Sequence, residues 1–131
     1  SLLCDLDIRL PLLSLSEPIE NLPCTQSLDL QEVLNIMLSY GQNFIFHIGD
    51  DLNIKGLLTD GDIKRFLVGS DVNRSISSIV IAPNSNPISL PDSAQLSHLI
   101  EEGLLDLRYG AIPLKSNDGN MRNAVPIRKL I

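Results

Sequence analysis

The stretch SLDLQEVLNIMLSYGQNFIFHIGDDLNIKGLLTDGDIKRFL, Ser27 to Leu67, decides the fold. Ser27 can cap a helix, and Asp29 and Glu32 fall in its first turn, where the helix dipole favours acids. Leu30, Val33, Leu34, Met37 and Leu38 then recur at helical spacing and make one apolar face. Gly41 stops that helix. Phe44-Ile45-Phe46-His47-Ile48 is a β-rich run, Gly49 to Asn53 a turn, and Ile54 to Thr59 the strand that pairs back. Asp60-Gly61-Asp62 opens a short helix with Ile63, Phe66 and Leu67 as its apolar residues and Gly69 at its end.

The same order returns further along. Leu96, Leu99, Ile100 and Leu104 repeat the helical face, and Tyr109 to Leu114 reads as a strand. Ser116 to Asn120 is a polar turn, Arg122 to Pro126 a second strand, and Ile127 to Ile131 a truncated last helix. Ser27 maps onto Ser93 and Gly56 onto Asn123, offsets of 66 and 67. A near-constant offset through four elements marks an internal duplication. Ile19 to Thr25 before the first copy, and Ile76 to Ile79 with Asn86 to Pro91 before the second, each supply a short entry strand. Pro83 and Pro87 interrupt any helix over 72–81, so 69–92 is a linker and lead-in.

Composition narrows the function classes. The chain has 131 residues, 44% hydrophobic and 20% charged, enough for one domain or two half-size repeats around a shared core. It is 4% aromatic, lacks Trp and carries a net charge of −6. That argues against a phosphate-backbone or base-stacking nucleic-acid surface. One small anion remains within reach of a helix end and a few backbone amides. No apolar run reaches the length of a membrane span and the stretch Ser1-Leu2-Leu3-Cys4-Asp5 lacks a basic n-region, so a cytoplasmic location is expected. Cys4, Cys24, His47 and His98 do not form a metal-ligand spacing.

Gly56-Leu57-Leu58-Thr59-Asp60-Gly61-Asp62, followed by Lys64-Arg65, resembles the Gly-x-x-Thr-x-x-Asp signature of cystathionine-β-synthase-type (CBS) repeats. Ala111-Ile112-Pro113-Leu114 is similar to that family's second strand. The resemblance covers residues 17–131 and implies an α/β (α+β) fold. In it, two tandem β-α-β-β-α repeats pack about a pseudo-twofold axis. The expected organisation is 1–16 as a linker from a missing N-terminal domain, 17–70 as the first repeat and 71–131 as the second. Such pairs are regulatory, ligand-sensing modules rather than enzymes. They pair into homodimers or higher oligomers, and adenine nucleotides are their usual ligands.

The resemblance assigns ligand contacts to Gly56, Thr59 and Asp62, and the chemistry agrees. Gly56 admits close approach to the backbone. Thr59 ends a strand just before a helix N-terminus, where free N–H groups and the dipole favour phosphate. Asp62 offers a carboxylate to ribose hydroxyls. Phe44, Ile45 and Phe46 match the strand expected to flank the base. In the second copy Pro126 stands for Thr59 and Lys129 for Asp62, so that site reads as degraded. An acidic ligand there would draw on Lys129, Arg128 or Arg122.

The Thr-Asp-Gly-Asp-Ile-Lys-Arg run also resembles two narrower sets. One is the arabinose-5-phosphate isomerases of the sugar-isomerase type, with a C-terminal CBS pair after a lead-in like Leu2-Leu3 and Asp7-Ile8 and a piece like Gly69-Ser70-Asp71-Val72. The other is sugar-phosphate nucleotidyltransferases. The first implies a role in lipopolysaccharide sugar synthesis, an absent catalytic domain and a CMP-activated sugar as a second candidate ligand. A ligand-free oligomerisation module is the alternative of a different class. His47 and His98 read as packed or solvated, Lys64-Arg65 as complements to a helix C-terminus, and no nucleophile–base set is present.

Overall fold

The computed structural model describes residues 7–69 and 79–131. The lead-in residues Leu2, Leu3 and Cys4, the piece Ser70 to Val72, and Ile76 to Ser78 lie outside them. Along the chain come β1 (Glu17–Pro18), β2 (Cys24–Thr25), α1 (Leu30–Tyr40), β3 (Phe44–Ile48), β4 (Ile54–Thr59) and α2 (Asp60–Val68). Then follow β5 (Leu90–Pro91), α3 (Leu96–Glu101), β6 (Ala111–Lys115), β7 (Met121–Pro126) and a 3-10 turn at Ile127–Lys129. The class is mixed α/β with two sheets, ordered β2-β3-β4 and β1-β7-β6-β5.

The helix ends follow local chemistry. Asp29, not Ser27, caps α1 by accepting from the Glu32 N–H, while the Ser27 hydroxyl accepts from the Asp29 N–H. Gly41 ends α1 in the left-handed region at φ 64°. α3 spans Leu96–Glu101, and the His98 ring accepts from the Gln95 N–H at 2.9 Å, so His98 serves the helix start. Strand β6 begins at Ala111, two residues later than the periodicity predicts, because Leu107–Tyr109 winds into a 3-10 turn.

The duplication is explicit in the register. Phe44 opposite Thr59 becomes Ala111 opposite Pro126, and Ile45 opposite Leu58 becomes Ile112 opposite Val125. The irregularity after His47 recurs after Leu114. Asn53 and Asn120, equivalent turn residues, meet across the axis at 3.0 Å, and the Met121 N–H donates to Asn53 Oδ1. Each Asn also donates to the Asp two residues before it, Asp51 or Asp118. The Asn53 amide holds the Asp51 carboxyl below its ordinary range, and the Ser116 hydroxyl does the same for Asp118.

The two halves exchange their lead segments. β1, which precedes the first copy, pairs antiparallel with β7 of the second, while Asn84, which precedes the second, bridges Leu57 of the first. Further out, Pro11 bridges Gln95 and Val80 bridges Asp29. The second half's sheet thus takes a strand from the first, and the first half's sheet takes a single bridge from the second.

Strand alternation then builds three apolar layers. Phe44, Phe46 and Leu57 face a middle layer that Ala111 and Ala124 close from the other sheet. Ile45 and Leu58 face α1 and α2 beside Ile79 and Ile81. Ile112, Leu114 and Val125 face α3 beside Leu12 and Leu15. Residues 7–16, expected as a linker, thus depart from that reading, since Leu12 is fully buried and its N–H donates to the Ala94 carbonyl at 2.9 Å. The matching contribution of Ile79 and Ile81 to the first half is the same exchange in reverse. Leu12→Ala is expected to lower unfolding free energy by about 2–5 kcal/mol in urea titration, the cost of a core truncation. A change under about 0.5 kcal/mol would mean that the segment is a tether.

Candidate functional site

At the end of β4 the chain turns directly into α2, and the turn is fixed by a capping box. The Asp62 N–H donates to Thr59 Oγ1 at 3.3 Å, and the Thr59 N–H donates back to Asp62 Oδ2 at 2.9 Å. The Asp60 N–H donates to the Asn43 carbonyl at 2.8 Å, which ties the helix start to the head of β3. The first turn of α2 therefore has a set direction, and it opens on a cleft of about 410 Å³.

The cleft lies between the halves. Thr59, Asp60, Gly61 and Asp62 form one wall, with the Lys64 and Arg65 side chains beside them. Arg108, Tyr109, Ala111 and Ile112 of the second half form the other. Asn84 and Leu57, joined by the exchanged bridge, lie at its base with Ile88. The Asn43 amide donates to the Leu107 carbonyl at 2.7 Å and ties the two walls together.

Charge is distributed unevenly there. Lys64 pairs with Asp60 at 3.1 Å and Arg65 with Asp62 at 2.5 Å, both within α2. These two cations serve the acids of the first turn rather than the helix C-terminus expected from sequence. Arg108 pairs through Nε with Asp106 at 3.0 Å and lies over the Tyr109 ring, 5.3 Å from its centroid. Arg108 also lines the cleft, and only its Nε is engaged by Asp106. The arrangement combines a helix N-terminus, a guanidinium, an aromatic face and a short apolar floor. It can take a small molecule with an anionic end and a planar apolar end.

Thr59 and Asp62 reach this cleft, as the sequence suggests, but their side chains already hold the capping box. Gly56 does not reach it. A Cβ there would lie 2.9 Å from Pro83 Cβ and 3.0 Å from the Asn84 carbonyl oxygen. The glycine makes room for the exchanged segment, not for a ligand. Phe44, Ile45 and Phe46 are also corrected, since all three are fully buried. Strand β3 lies between β2 and β4, and its side chains fill two core layers. The aromatic and guanidinium faces come instead from Arg108 and Tyr109. The Arg-Tyr pair before an apolar run was the only sequence signal for them, and its position opposite α2 depends on the pairing of the halves.

Arg128 and Lys129 share a separate cleft with Pro126, whereas Arg122 lines a pocket near Asp92 and Asp118. Burial pushes the Cys24 thiol up, with Glu20 adding to it. No group of three metal-ligand side chains forms among the described residues, and no helix there is long and apolar enough to cross a membrane.

Comparisons with known proteins bear on the fold. No family model matches the sequence, and no curated protein matches it at a significant level. Solved structures do match. A CBS domain-containing protein of unknown function from Bacillus anthracis aligns with a TM-score of 0.71 at 14% identity, over 90% of this chain and 87% of that one. CbpB in complex with c-di-AMP aligns at 0.70 and 15%, over 94% and 83%. CBSX2 in complex with AMP, a CBS-pair protein from Arabidopsis thaliana, aligns at 0.68 and 16%, over 92% and 93%. The chain has the CBS-pair fold.

Gly56→Ala tests the reassignment of that glycine. The clash with Pro83 and the Asn84 carbonyl predicts a loss of about 1–3 kcal/mol in ligand-free urea unfolding. Unchanged stability would return Gly56 to a ligand role.

Proposed function

We propose that this CBS-pair chain is a regulatory binding module that holds an adenine nucleotide in the cleft between β4–α2 and Arg108–Ile112. The observation that carries the reading is the meeting, in one cleft, of the α2 N-terminus with the Arg108–Tyr109 pair. The nucleotide phosphate sits at the first turn of α2, where the Gly61 N–H is the one that the cap and the Asn43 carbonyl leave over and Arg108 adds charge-assisted donors. The base lies on the Tyr109 and Arg108 faces above Ala111 and Ile112, since both ring and guanidinium planes stack on bases. Asp62 accepts from the ribose while retaining its bond to the Thr59 N–H, a carboxylate having room for several donors. The complexes of CbpB with c-di-AMP and of CBSX2 with AMP, both similar in fold, support this ligand class.

The ligand touches both halves, so it can bias how they sit, and through them an attached enzyme, by binding one arrangement better than another. The module binds and does not turn over. The sequence resemblance supports a sugar-phosphate enzyme as parent, an arabinose-5-phosphate isomerase first and a nucleotidyltransferase second. A CMP-activated sugar is then the feedback ligand to compare with AMP. Homodimerisation fits the outer helices, where Leu38 on α1 and Val68 on α2 are 82% and 89% exposed.

Thermal unfolding of the whole chain with AMP, ADP, c-di-AMP and a CMP-sugar tests the reading. A ligand binding only the native state at about 100 times its Kd adds roughly 2.7 kcal/mol. We expect a raised midpoint with an adenine nucleotide, abolished in Arg108→Gln, whose own midpoint stays near the wild type because Arg108 is an exposed side chain. No rise with any of the four would leave a ligand-free oligomerisation module.

A further inference from the structure

The second half carries its own version of the cleft. Extending the register of the first hairpin to the second places Pro126 at the position of Thr59, Lys129 at that of Asp62, Gln42 at that of Tyr109 and Glu17 at that of Asn84. Those residues, with Arg128, line an opening of about 480 Å³. These positions correspond, and their chemistry is inverted.

Lys129 Nζ lies 3.1 Å from Glu17 Oε1 and 3.4 Å from the Leu15 carbonyl oxygen. Arg128 donates to the Gly41 carbonyl at 2.7 Å. We infer that the cations of this second cleft are satisfied from within, although Gln42 Oε1 is buried there without a partner among the described residues: Lys129 and Glu17 take each other, Arg128 takes the Gly41 carbonyl, and the Lys129–Glu17 pair latches the exchanged strand β1 onto the end of the chain. Resting on the reading of the first cleft, this gives one nucleotide per chain rather than two.

Four features argue for it. Pro126 has neither hydroxyl nor N–H, and only a three-residue 3-10 turn follows, so no capped helix end faces the opening. An ammonium only donates and cannot accept from a ribose diol. Gln42 offers no aromatic face. A phosphate would have to compete with the Glu17 carboxylate for Lys129 and with a backbone carbonyl for Arg128. The pair also joins residues 112 apart in sequence, one on the exchanged β1 and one on the closing turn. Both side chains are more than a third exposed, so the latch is a modest one.

Two measurements on the whole chain test it. Calorimetric titration with AMP should give one site per chain, lost in Arg108→Gln and unchanged within about twofold in Lys129→Met. Hydrogen exchange at the amides of Glu17, Asn123 and Ala124 should quicken about two- to fivefold in Glu17→Gln and in Lys129→Met, the size of a partly exposed ion pair, with no further gain in the double variant. A second site, or AMP heat that survives Arg108→Gln and disappears in Lys129→Met, would overturn the internal pairing of its cations. Exchange rates unmoved by the single variants, or simply additive in the double, would overturn the latch. AMP heat absent from the wild type would sink the one-nucleotide statement with the reading beneath it, while the exchange arm would still decide the latch.

Discussion

The exchange of lead segments is the constraint on which the rest of this structure depends. Glu17 and Pro18 complete the sheet of the second half, and Asn84 closes on Leu57 of the first. A duplicated unit that kept its own lead segment could fold as two loosely joined lobes. Here one sheet borrows an edge strand and the other a bridge, and each helix layer borrows apolar residues: Leu12 and Leu15 on one side, Ile79 and Ile81 on the other. Burying such residues supplies the main favourable term for holding the halves in one arrangement. The same crossing puts residues of both halves around each cleft, which gives a bound molecule leverage over their relative position.

Within that symmetric frame the two halves have specialised. The middle layer sets large side chains against small ones, Phe44 and Phe46 against Ala111 and Ala124. Gly110 is bound to this choice. Its φ is +74°, and a Cβ there would sit 2.6 Å from Phe44 Cβ. The glycine lets the second half come close to Phe44 and sets the turn from which Arg108 and Tyr109 project. The clefts diverge by the same logic. Thr59 and Asp62 make a polar, capped helix start, whereas Pro126 and Lys129 leave a short turn and an internal ion pair.

Much of this was legible in the sequence because it is local. The helical stripe from Leu30 to Leu38, the stop at Gly41, the hairpin turn and the Thr59–Asp62 cap are written within a few residues of each other. The offset of the second copy exposed the duplication. What could not be read was pairing between distant segments. Gly56 looked like a ligand position because the crossing of Pro83 and Asn84 beneath it has no local trace. The resemblance puts Phe44, Ile45 and Phe46 beside a base, and their full burial in two core layers has no local trace. Leu12 and Leu15 looked like linker for the same reason. Thr59 and Asp62 line the cleft and are close in sequence, while Arg108 and Tyr109, which line it too, come from far along the chain and are brought in only by the pseudo-twofold packing.

The account's central claim is that one cleft, built by both halves around the start of α2, receives the ligand. The direct measurement is a titration of the isotope-labelled chain with AMP, following every backbone amide by NMR. The account predicts shifts that saturate together at Gly61 and Asp62, at Asn84, and across the other half from Arg108 to Ile112, with Arg128 and Lys129 still. Shifts confined to one half, or centred on Arg128 and Lys129, would contradict it.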